Sequence, residues 1–500
     1  MTARVTLSPN DSLWLNMDTP ENLMVIESIM WFEEPLDPPA VLEALRTRLL
    51  ARYPVFTWRP EFASGPGGLD HWVSDPSFSL ERHVTFHDLD GDDGHEAIQQ
   101  FLARTMSQPM PHDRPLWHAH VLTGAGAHAV VMRFHHAIAD GTALVRVLLD
   151  LTTAHPDGDG QPAHGAVDPE TAEAPTGTNG VRLTGVDRTP TPVEAPLGQR
   201  AHHSRRERAV GALSHLVTWP LAAGVAATNS AVDLVTTLNP DHGGLVNRMA
   251  EQARGTADAV DKLLVGTAPD ALPYGRPGVG KTADWGPPYP LEEVKRVARA
   301  RGATVNDVMM AALGGALRRY VIAHGEVPRD VVTMIPVNLR PWDAPLPEHL
   351  GNKFALVAFE LPLAAPTATA RLAQAKARMD IIKQGPEALL TFGLAHAIGS
   401  VGAVTATVSR QMISFFGNKA FGVTTNVPGP TSARYFAGRE MVGVLGWVPA
   451  ASNQTLGACI FSYNGQIRVG FKADSSVIPD VATLVAALDD ELADLFAEVG

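Results

Sequence analysis

The sequence predicts a mixed α/β fold made of two domains, or of two similar halves of one pseudo-symmetric unit. The chain has 500 residues, 45% of them hydrophobic and 19% charged, so it can bury a large core. Its 44 glycines and 39 prolines are more than helices alone accommodate and indicate strands with many turns. Helical and strand-like hydrophobic periodicities also alternate along the sequence.

The N-terminal block, residues 1–153, contains both periodicities. Residues 39–53 place apolar side chains at helical spacing. Residues 128–134 form an apolar run typical of a strand, and residues 142–151 return to helical spacing. This block therefore predicts a helix and, later in the chain, a strand, a short loop and a second helix.

The composition changes after this block. Residues 154–205 are rich in Pro, Gly, Thr, Asp and Ala without periodicity, which predicts a polar, flexible linker. Residues 206–284 predict a helical connection. Its uncharged stretch, residues 209–227, is long enough to span a bilayer. Polar residues and many Ala and Gly residues within the stretch favour instead a packed helix, or one lying on a membrane surface.

The C-terminal block, residues 285–500, begins with two predicted helices. Residues 291–300 are amphipathic, and Gly302 is placed to end the first helix. Thr304 is placed to cap a second helix that continues through Tyr320.

Strand signals follow in the same block. Residues 331–337 are a candidate buried strand, and residues 458–471 predict a hairpin. Asn464 and Gly465 supply the positive φ angles that a two-residue turn needs. A final amphipathic helix begins near Val481.

The charge and the cysteine content narrow the function classes. A net charge of −13, with no long basic block, argues against nucleic-acid binding and against a membrane contact driven by overall charge, so lipid contact would be local and hydrophobic. The single cysteine, Cys459, excludes a disulfide within the chain and a thiolate metal cluster. No basic-then-apolar signal pattern opens the sequence, so we expect a cytoplasmic protein.

The candidate catalytic residues lie between the predicted strand and helix of the first block. His135 and His136 are adjacent at a strand end, so their side chains point in opposite directions and only one can face a given cleft. A histidine suits general-base catalysis because its ordinary pKa lies near neutrality. Asp140 can hold the loop by pairing with an arginine or with backbone donors, and Gly141 allows a tight entry into the helix.

Two other interpretations of the histidine pair remain open. The pair can be structural, with both rings hydrogen-bonded at the strand end. It can also bind a metal, although adjacent rings diverge and no second histidine or carboxylate is spaced nearby for zinc.

The order of several short motifs resembles a known family. His135-His136-x-x-x-Asp140-Gly141 matches the acyl-transfer motif of the superfamily that includes chloramphenicol acetyltransferase and peptide-synthetase condensation domains. More specifically, the chain resembles the bacterial wax ester synthases/diacylglycerol acyltransferases over its whole length except the linker. Further matching segments follow in order: Leu7-Ser8-Pro9-x-Asp11, Arg114-Pro115-Leu116-Trp117, Val305-Asn306-Asp307-Val308, Pro336-Val337-Asn338-Leu339-Arg340, Leu350-Gly351-Asn352 and Thr425-Asn426-Val427-Pro428-Gly429-Pro430. Thr425 stands where the family more often has serine.

The resemblance implies a fold and an activity. Two chloramphenicol-acetyltransferase-like halves, each a mixed β-sheet flanked by helices, would enclose an active-site tunnel between them. The implied reaction moves a long-chain fatty acyl group from acyl-CoA, a cosubstrate, to diacylglycerol or a long-chain alcohol, without a cofactor or a metal. The protein would then contact a membrane or lipid-body surface peripherally, on the cytoplasmic side.

The resemblance also assigns residue roles. His136 would be the general base, with His135, Asp140 and Gly141 supporting it. Asn306 is the candidate donor to the oxyanion, or else an ordinary residue of a helix start. Supporting or structural roles fall to Asp307, Asn426 and Arg340, the last either paired with Asp140 or in a surface ion pair elsewhere.

Other functions have weaker support in the sequence. Residues 275–282 satisfy the phosphate-loop pattern Gly-x₄-Gly-Lys-Thr, but neither the strand before it nor the helix after it is predicted. No Gly-x-Ser-x-Gly elbow supports a serine esterase. Two alternatives remain, an acyltransferase acting on a soluble or carrier-bound acceptor and a non-catalytic lipid-binding protein.

Overall fold

A computed structural model describes residues 4–63, 68–158, 271–340, 345–384 and 420–499. All of these residues belong to one compact unit. Within them the helices are α1 Pro9–Leu15, α2 Pro38–Ala44, α3 Gly94–Met106, α4 Gly141–Leu151, α5 Leu291–Arg301, α6 Val305–Ala323, α7 Ala368–Gln384 and α8 Val481–Ala497. A π-helical turn spans Leu45–Leu50, and 3₁₀ turns span Pro54–Thr57 and Leu80–Arg82.

The strands of the described residues form two large sheets and one small one. They are β1 Arg4–Thr6, β2 Val25–Phe32, β3 Trp58–Glu61, β4 His71–Ser74, β5 Val84–Leu89, β6 Trp117–Gly124, β7 Ala127–His135, β8 Lys281–Trp285, β9 Tyr289–Pro290, β10 Val331–Asn338, β11 Phe354–Leu361, β12 Gly422–Pro428, β13 Arg434–Phe436, β14 Arg439–Trp447, β15 Leu456–Tyr463 and β16 Gln466–Asp474. The small sheet has the order β1-β4-β3.

A six-stranded sheet carries the candidate catalytic loop. Its order is β13-β14-β2-β7-β6-β5, and every neighbouring pair is antiparallel except β5 and β6. β13 and β14 come from the C-terminal block, and β14 pairs along β2 with Trp447 opposite Glu27. The sheet that positions the loop is therefore built from both ends of the chain.

A seven-stranded sheet is built only from residues after 280. Its order is β11-β10-β12-β15-β16-β8, with β9 also paired to β16. β12 lies parallel to both β10 and β15, and the remaining pairs are antiparallel. Helices α6 and α8 contribute buried apolar residues to the core beside this sheet, and a second core lies beside the six-stranded sheet. Each large sheet thus has its own hydrophobic core.

Local signals explain where the best-predicted elements begin and end. α5 ends at Gly302, which adopts a φ of 59°, in the left-handed region that favours glycine. α6 begins with a capping box in which the Thr304 hydroxyl accepts from the Asp307 N–H at 3.2 Å and the Asp307 carboxylate accepts from the Thr304 N–H at 2.9 Å. The turn between β15 and β16 has φ angles of 47° at Asn464 and 75° at Gly465. These expectations are confirmed.

Two expected helices differ from the structure. Residues 39–53 form α2 and then a π-helical turn, in which the Ala51 N–H donates to the Arg46 carbonyl. Apolar spacing of three and four residues fits either kind of helix, so periodicity could not separate them. Residues 271–284, expected as the end of a helical connection, are turns followed by β8. Two prolines and three glycines between 273 and 280 disfavour a helix there.

The rest of the expected connection lies outside the described residues. So do the uncharged stretch 209–227 within it and the separate linker 154–205 beyond residue 158. Among the helices that the structure describes, none combines the length and the apolar character that a bilayer crossing requires.

Candidate active site

The candidate catalytic loop joins β7 to α4 and is fixed by backbone hydrogen bonds. The His135 N–H donates to the Leu116 carbonyl at 2.9 Å, and the His136 N–H donates to the Met24 carbonyl at 2.7 Å. The Gly351 N–H donates to the Ile138 carbonyl at 3.0 Å, so the C-terminal block also contacts the loop. The position of each imidazole is therefore set by backbone from three separate parts of the chain.

The two adjacent histidines point to different partners, as expected at a strand end. The His135 ring is fully buried, and its Nδ1 accepts from the Ala137 N–H at 3.1 Å. Its Nε2 must then carry the ring proton, which it donates to Asp18 at 3.1 Å. His136 is only 5% exposed and contacts Asn352, whose Oδ1 lies 2.9 Å from the ring Nδ1.

Aromatic side chains enclose the His136 ring. Trp14 of α1 stacks on it with ring centroids 4.0 Å apart and planes 17° apart. Phe354 lies 5.5 Å from it, centroid to centroid. This burial lowers the pKa of His136 to about 4, against the opposing effect of hydrogen bonds with its own backbone and with Asn352. The ring is therefore neutral at physiological pH.

A strained turn holds Asn352 against the loop. Leu350 and Gly351 adopt φ angles of 54° and 73°, in the left-handed region. The guanidinium of Arg340 donates to the carbonyl oxygens of Leu350 at 3.0 Å and of Gly351 at 3.3 Å. Asp11 accepts from the backbone N–H of Asn352 at 3.0 Å. The Leu-Ser-Pro-x-Asp and Leu-Gly-Asn segments, far apart in sequence, thus meet at His136.

Asp140 holds the loop through backbone donors, one of the two alternatives that its sequence position allowed. Its Oδ1 accepts from the Ala143 N–H at 2.8 Å and caps α4. Its Oδ2 accepts from the Lys353 N–H at 2.9 Å. Arg340, for which the sequence left open a pair with Asp140 or a surface ion pair elsewhere, instead donates to the carbonyl oxygens of the turn before Asn352.

The entry into α4 does not require a glycine at position 141, contrary to what the sequence suggested. Its φ lies outside the left-handed region, and a Cβ added there would meet no atom of the described residues within 4 Å. The backbone enters α4 without needing glycine.

In the Asn-Asp segment, Asp307 has a structural role, and Asn306 has a side-chain donor without a partner among the described residues. Asp307 is the capping-box carboxylate of α6. Asn306 is 5% exposed, and its Oδ1 accepts from the side-chain amide of Asn426 at 3.1 Å. Its own Nδ2 is buried and has no hydrogen-bond partner among the described residues. No hydrogen bond between described residues joins this amide pair to His136 or to Asp140.

The sequence alone did not single out the partners of His135. Asp18 accepts from His135, and the Nε2 of His112 lies 3.4 Å from the same carboxylate oxygen. Although burial opposes its ionisation, the close contact with His112 and the hydrogen bond from His135 hold the pKa of Asp18 well below its usual range. The 117 residues that separate Asp18 from His135 gave no local signal of this contact.

Asp18, His112 and His135 also form the group of described residues that comes nearest to a metal site, with ligand atoms within 4.8 Å of one another. A metal on His135 would have to bind the Nε2 that carries the ring proton. Moving that proton to Nδ1 would break the hydrogen bond from the Ala137 N–H. The cluster is therefore accounted for by an ionised carboxylate that orients His135.

The phosphate-loop pattern has a structural explanation. Lys281 lies in β8, opposite Asp474 of β16. Its ammonium donates to the Asp474 carboxylate at 2.5 Å and to the Gly278 carbonyl at 2.6 Å. A phosphate loop needs a helix that begins at this lysine, and here a strand begins instead.

Comparisons with known proteins agree with the fold and with the motifs. Residues 7–309 match the family described as the wax ester synthase/diacylglycerol acyltransferase catalytic domain, and residues 350–496 match the WS/DGAT C-terminal domain. Two relatives from Mycobacterium tuberculosis H37Rv have names that assign them to the diacylglycerol O-acyltransferases. One is 25% identical, over 98% of this chain and 89% of its own, and the other is 26% identical, over 99% and 97%.

Solved structures support the same fold. The wax ester synthase/diacylglycerol acyltransferase from Marinobacter aquaeolei VT8 superposes with a TM-score of 0.63 and 20% identity, over 99% of this chain and 100% of its own. The first condensation domain of the calcium-dependent antibiotic synthetase superposes with a TM-score of 0.54 and 18% identity, over 99% and 97%. The two-lobed fold expected from the motifs is confirmed.

Proposed function

The chain belongs to the wax ester synthase/diacylglycerol acyltransferase family, and from this premise we propose that it transfers a long-chain fatty acyl group from acyl-CoA to diacylglycerol, to a long-chain fatty alcohol, or to both. Membership of the family makes it an acyltransferase. The products in this proposal are triacylglycerol or a wax ester, together with free coenzyme A. Both substrates meet at His136.

The chemistry requires a base more than a nucleophile. The thioester is already activated, so an acyl-enzyme is not needed. In the proposed step the Nε2 of His136 takes the hydroxyl proton while the alcohol oxygen attacks the thioester carbonyl. The resulting tetrahedral oxyanion collapses, the C–S bond breaks, and the imidazolium returns its proton to the leaving thiolate. His135 and Asp140 take supporting roles in the loop.

The surroundings of His136 suit such a base. The lowered pKa keeps the ring unprotonated and ready to accept, although a low pKa also makes it a weaker base. Two contacts favour the imidazolium as it forms, namely the face of the stacked Trp14 ring and the Oδ1 of Asn352. These contacts offset part of the cost of placing a charge in a buried site.

Asn306 is the proposed donor to the oxyanion. Its Nδ2 is buried without a partner among the described residues, while Asn426 engages its Oδ1 and so limits rotation of the amide. A buried, unpaired donor is costly in the free enzyme, and a developing oxyanion would satisfy it. Asn306→Ala is expected to lower kcat by about 10²–10³-fold, the usual effect of losing one such donor.

The observation that carries the proposal is the neutral His136 ring, held through Nδ1 in a loop that both ends of the chain fix. Its test is a thin-layer lipid assay with labelled palmitoyl-CoA, offering a long-chain alcohol and diacylglycerol separately. Labelled wax ester, triacylglycerol or both is the expected result. Label on neither lipid, with turnover of a soluble or carrier-bound acceptor, would favour the alternative acyltransferase. Lipid binding without any turnover would favour a non-catalytic protein.

A further inference from the structure

Asn352 is bound to its surroundings through every polar atom of its side chain. Its Nδ2 donates to the Asp11 carboxylate and to the His136 carbonyl, each at 2.8 Å. Its Oδ1 faces the Nδ1 of His136 at 2.9 Å. The backbone N–H of Asn352 donates to the same oxygen of Asp11 at 3.0 Å. One amide therefore joins the N-terminal segment, the catalytic loop and the C-terminal block.

These partners decide which way the amide points. A carboxylate and a carbonyl only accept hydrogen bonds, so the Asn352 group that faces both of them must be the NH₂. The Ser8 hydroxyl donates to the second oxygen of Asp11 at 2.7 Å, which leaves Asp11 as an acceptor on both sides. The Oδ1 of Asn352 must then face His136. An amide oxygen accepts, so the Nδ1 of His136 must donate.

From this geometry we propose that Asn352, anchored by Asp11, is the positioning residue that fixes His136 as the Nδ1–H tautomer and so keeps the lone pair on Nε2. The tautomer itself follows from the hydrogen bonds, whereas its catalytic consequence rests on the proposed function. Without this clamp the ring keeps only the hydrogen bond with its own backbone, so the two neutral tautomers become closer in energy, and the Nε2–H form cannot accept a proton from the alcohol. The imidazole would also lose one of the contacts that fix its plane.

The buried Asp11 carboxylate depends on the hydrogen-bond donors around it. Asp11 is only 3% exposed, and burial raises the pKa of its carboxyl against the hydrogen bonds from Ser8 and Asn352 and the nearby His349. A buried carboxylate is unfavourable unless its donors are in place. Gly351 permits the turn before Asn352, since its φ of 73° lies in the left-handed region.

The first test removes the amide. Asn352→Ala is expected to lower kcat by roughly 10²–10⁴-fold, the range of a general-base contribution, with KM for acyl-CoA nearly unchanged. Asn453→Ala, at an exposed asparagine, is the matched control and should keep wild-type kinetics. Asp11→Ala should lower kcat by the same mechanism. The loss of kcat in the double variant should therefore be much smaller than the product of the two single-variant losses.

The second test gives a signature that a purely structural role would not produce. In Asn352→Asp the new carboxyl group faces the Asp11 carboxylate across the 2.8 Å of the present hydrogen bond. When the two carboxyl groups share one proton, they can still present an oxygen to the Nδ1 of His136. When both groups are ionised, they repel each other. Activity of this variant should fall as the pH rises through the pKa of the pair. Wild type and Asn352→Ala should show no such alkaline limb.

The third test reads the tautomer directly and needs no substrate. In protein labelled with ¹⁵N-histidine, with His136→Ala used for assignment, the His136 ring of the wild type should be protonated at Nδ1 and unprotonated at Nε2 at pH 7. The opposite tautomer would overturn the proposal. So would wild-type kcat in Asn352→Ala when His136→Ala is inactive. Full activity in His136→Ala would instead refute the proposed function and leave the tautomer assignment standing.

Discussion

At the scale of single residues, the proposed catalysis depends on a histidine that is both neutral and held in one position. Burial keeps the pKa of His136 near 4, while Trp14 and Asn352 fix the plane of its ring. His135 serves a different purpose, since its proton is committed to Asp18. The adjacent histidines thus have different partners: Asp18 holds the ring of His135, whereas the Nε2 of His136 is the proposed base.

The low pKa of His136 predicts the pH profile of kcat/KM. A general base is inactive once it is protonated, and a depressed pKa delays protonation to lower pH. Activity should therefore stay level from neutral pH downward and fall as the pH approaches about 4. The measurement is kcat/KM against pH, with circular dichroism at each pH to confirm that the protein remains folded. An acid limb centred near pH 6.5, the ordinary histidine value, would contradict this assignment.

The identity of these residues could be predicted from the sequence, but their partners could not. His135, His136, Asp140 and Gly141 form one short motif that follows a recognisable strand. Hydrogen bonds to Asp18 and Asn352 cross 117 and 216 residues of chain, and spacing carries no information over such distances. The sequence also left two kinds of partner open for Arg340, and neither is the pair of backbone carbonyls that it contacts, because no side-chain pattern encodes a hydrogen bond to backbone.

At the scale of elements, the beginning of α6 determines where Asn306 lies. The helix starts at a capping box, and Asn306 is its second residue. Local propensity and tertiary position agree here, and this agreement explains why the start of the helix could be predicted from its capping residue, Thr304. By contrast, the insertion of β13 and β14 beside β2 could not be predicted, because strand pairing across the chain leaves no periodic signal.

The capping box predicts a measurable loss of stability. Thr304→Ala removes the acceptor for the Asp307 N–H and should lower the free energy of unfolding by about 1 kcal/mol. The midpoint of urea denaturation measures this change. Thr304→Ser keeps the hydroxyl and should retain most of the stability. Equal midpoints for the alanine variant and the wild type would show that the cap contributes nothing.

At the scale of the whole molecule, buried charges connect the two large sheets. Glu27 of β2 is fully buried and accepts from the Lys472 ammonium of β16 at 2.9 Å. The Nε of Arg133 lies 3.6 Å from the other Glu27 oxygen. Since the candidate catalytic loop follows β7 in one sheet and Asn306 lies at the start of a helix packed on the other, we expect this contact to keep the two parts of the proposed site in register.

Removing the Lys472 ammonium should therefore lower the free energy of unfolding. Lys472→Met leaves Glu27 buried with one distant partner, and breaking a buried pair in this way typically costs about 3–5 kcal/mol. The exposed pair between Lys376 and Asp380 offers a matched control, because Lys376→Met should cost less than about 1 kcal/mol. Chemical denaturation of the two variants compares them. Similar stabilities would mean that the buried pair does not hold the sheets together.

The most direct test of the account is the rate at which His136→Ala transfers labelled palmitate from palmitoyl-CoA to the acceptor that the wild type prefers. Both proteins must first give the same circular dichroism spectrum. The account predicts a rate lower by about 10²–10⁴-fold, as expected when a general base is removed. A rate equal to that of the wild type would show that the proton leaves the alcohol by some other route.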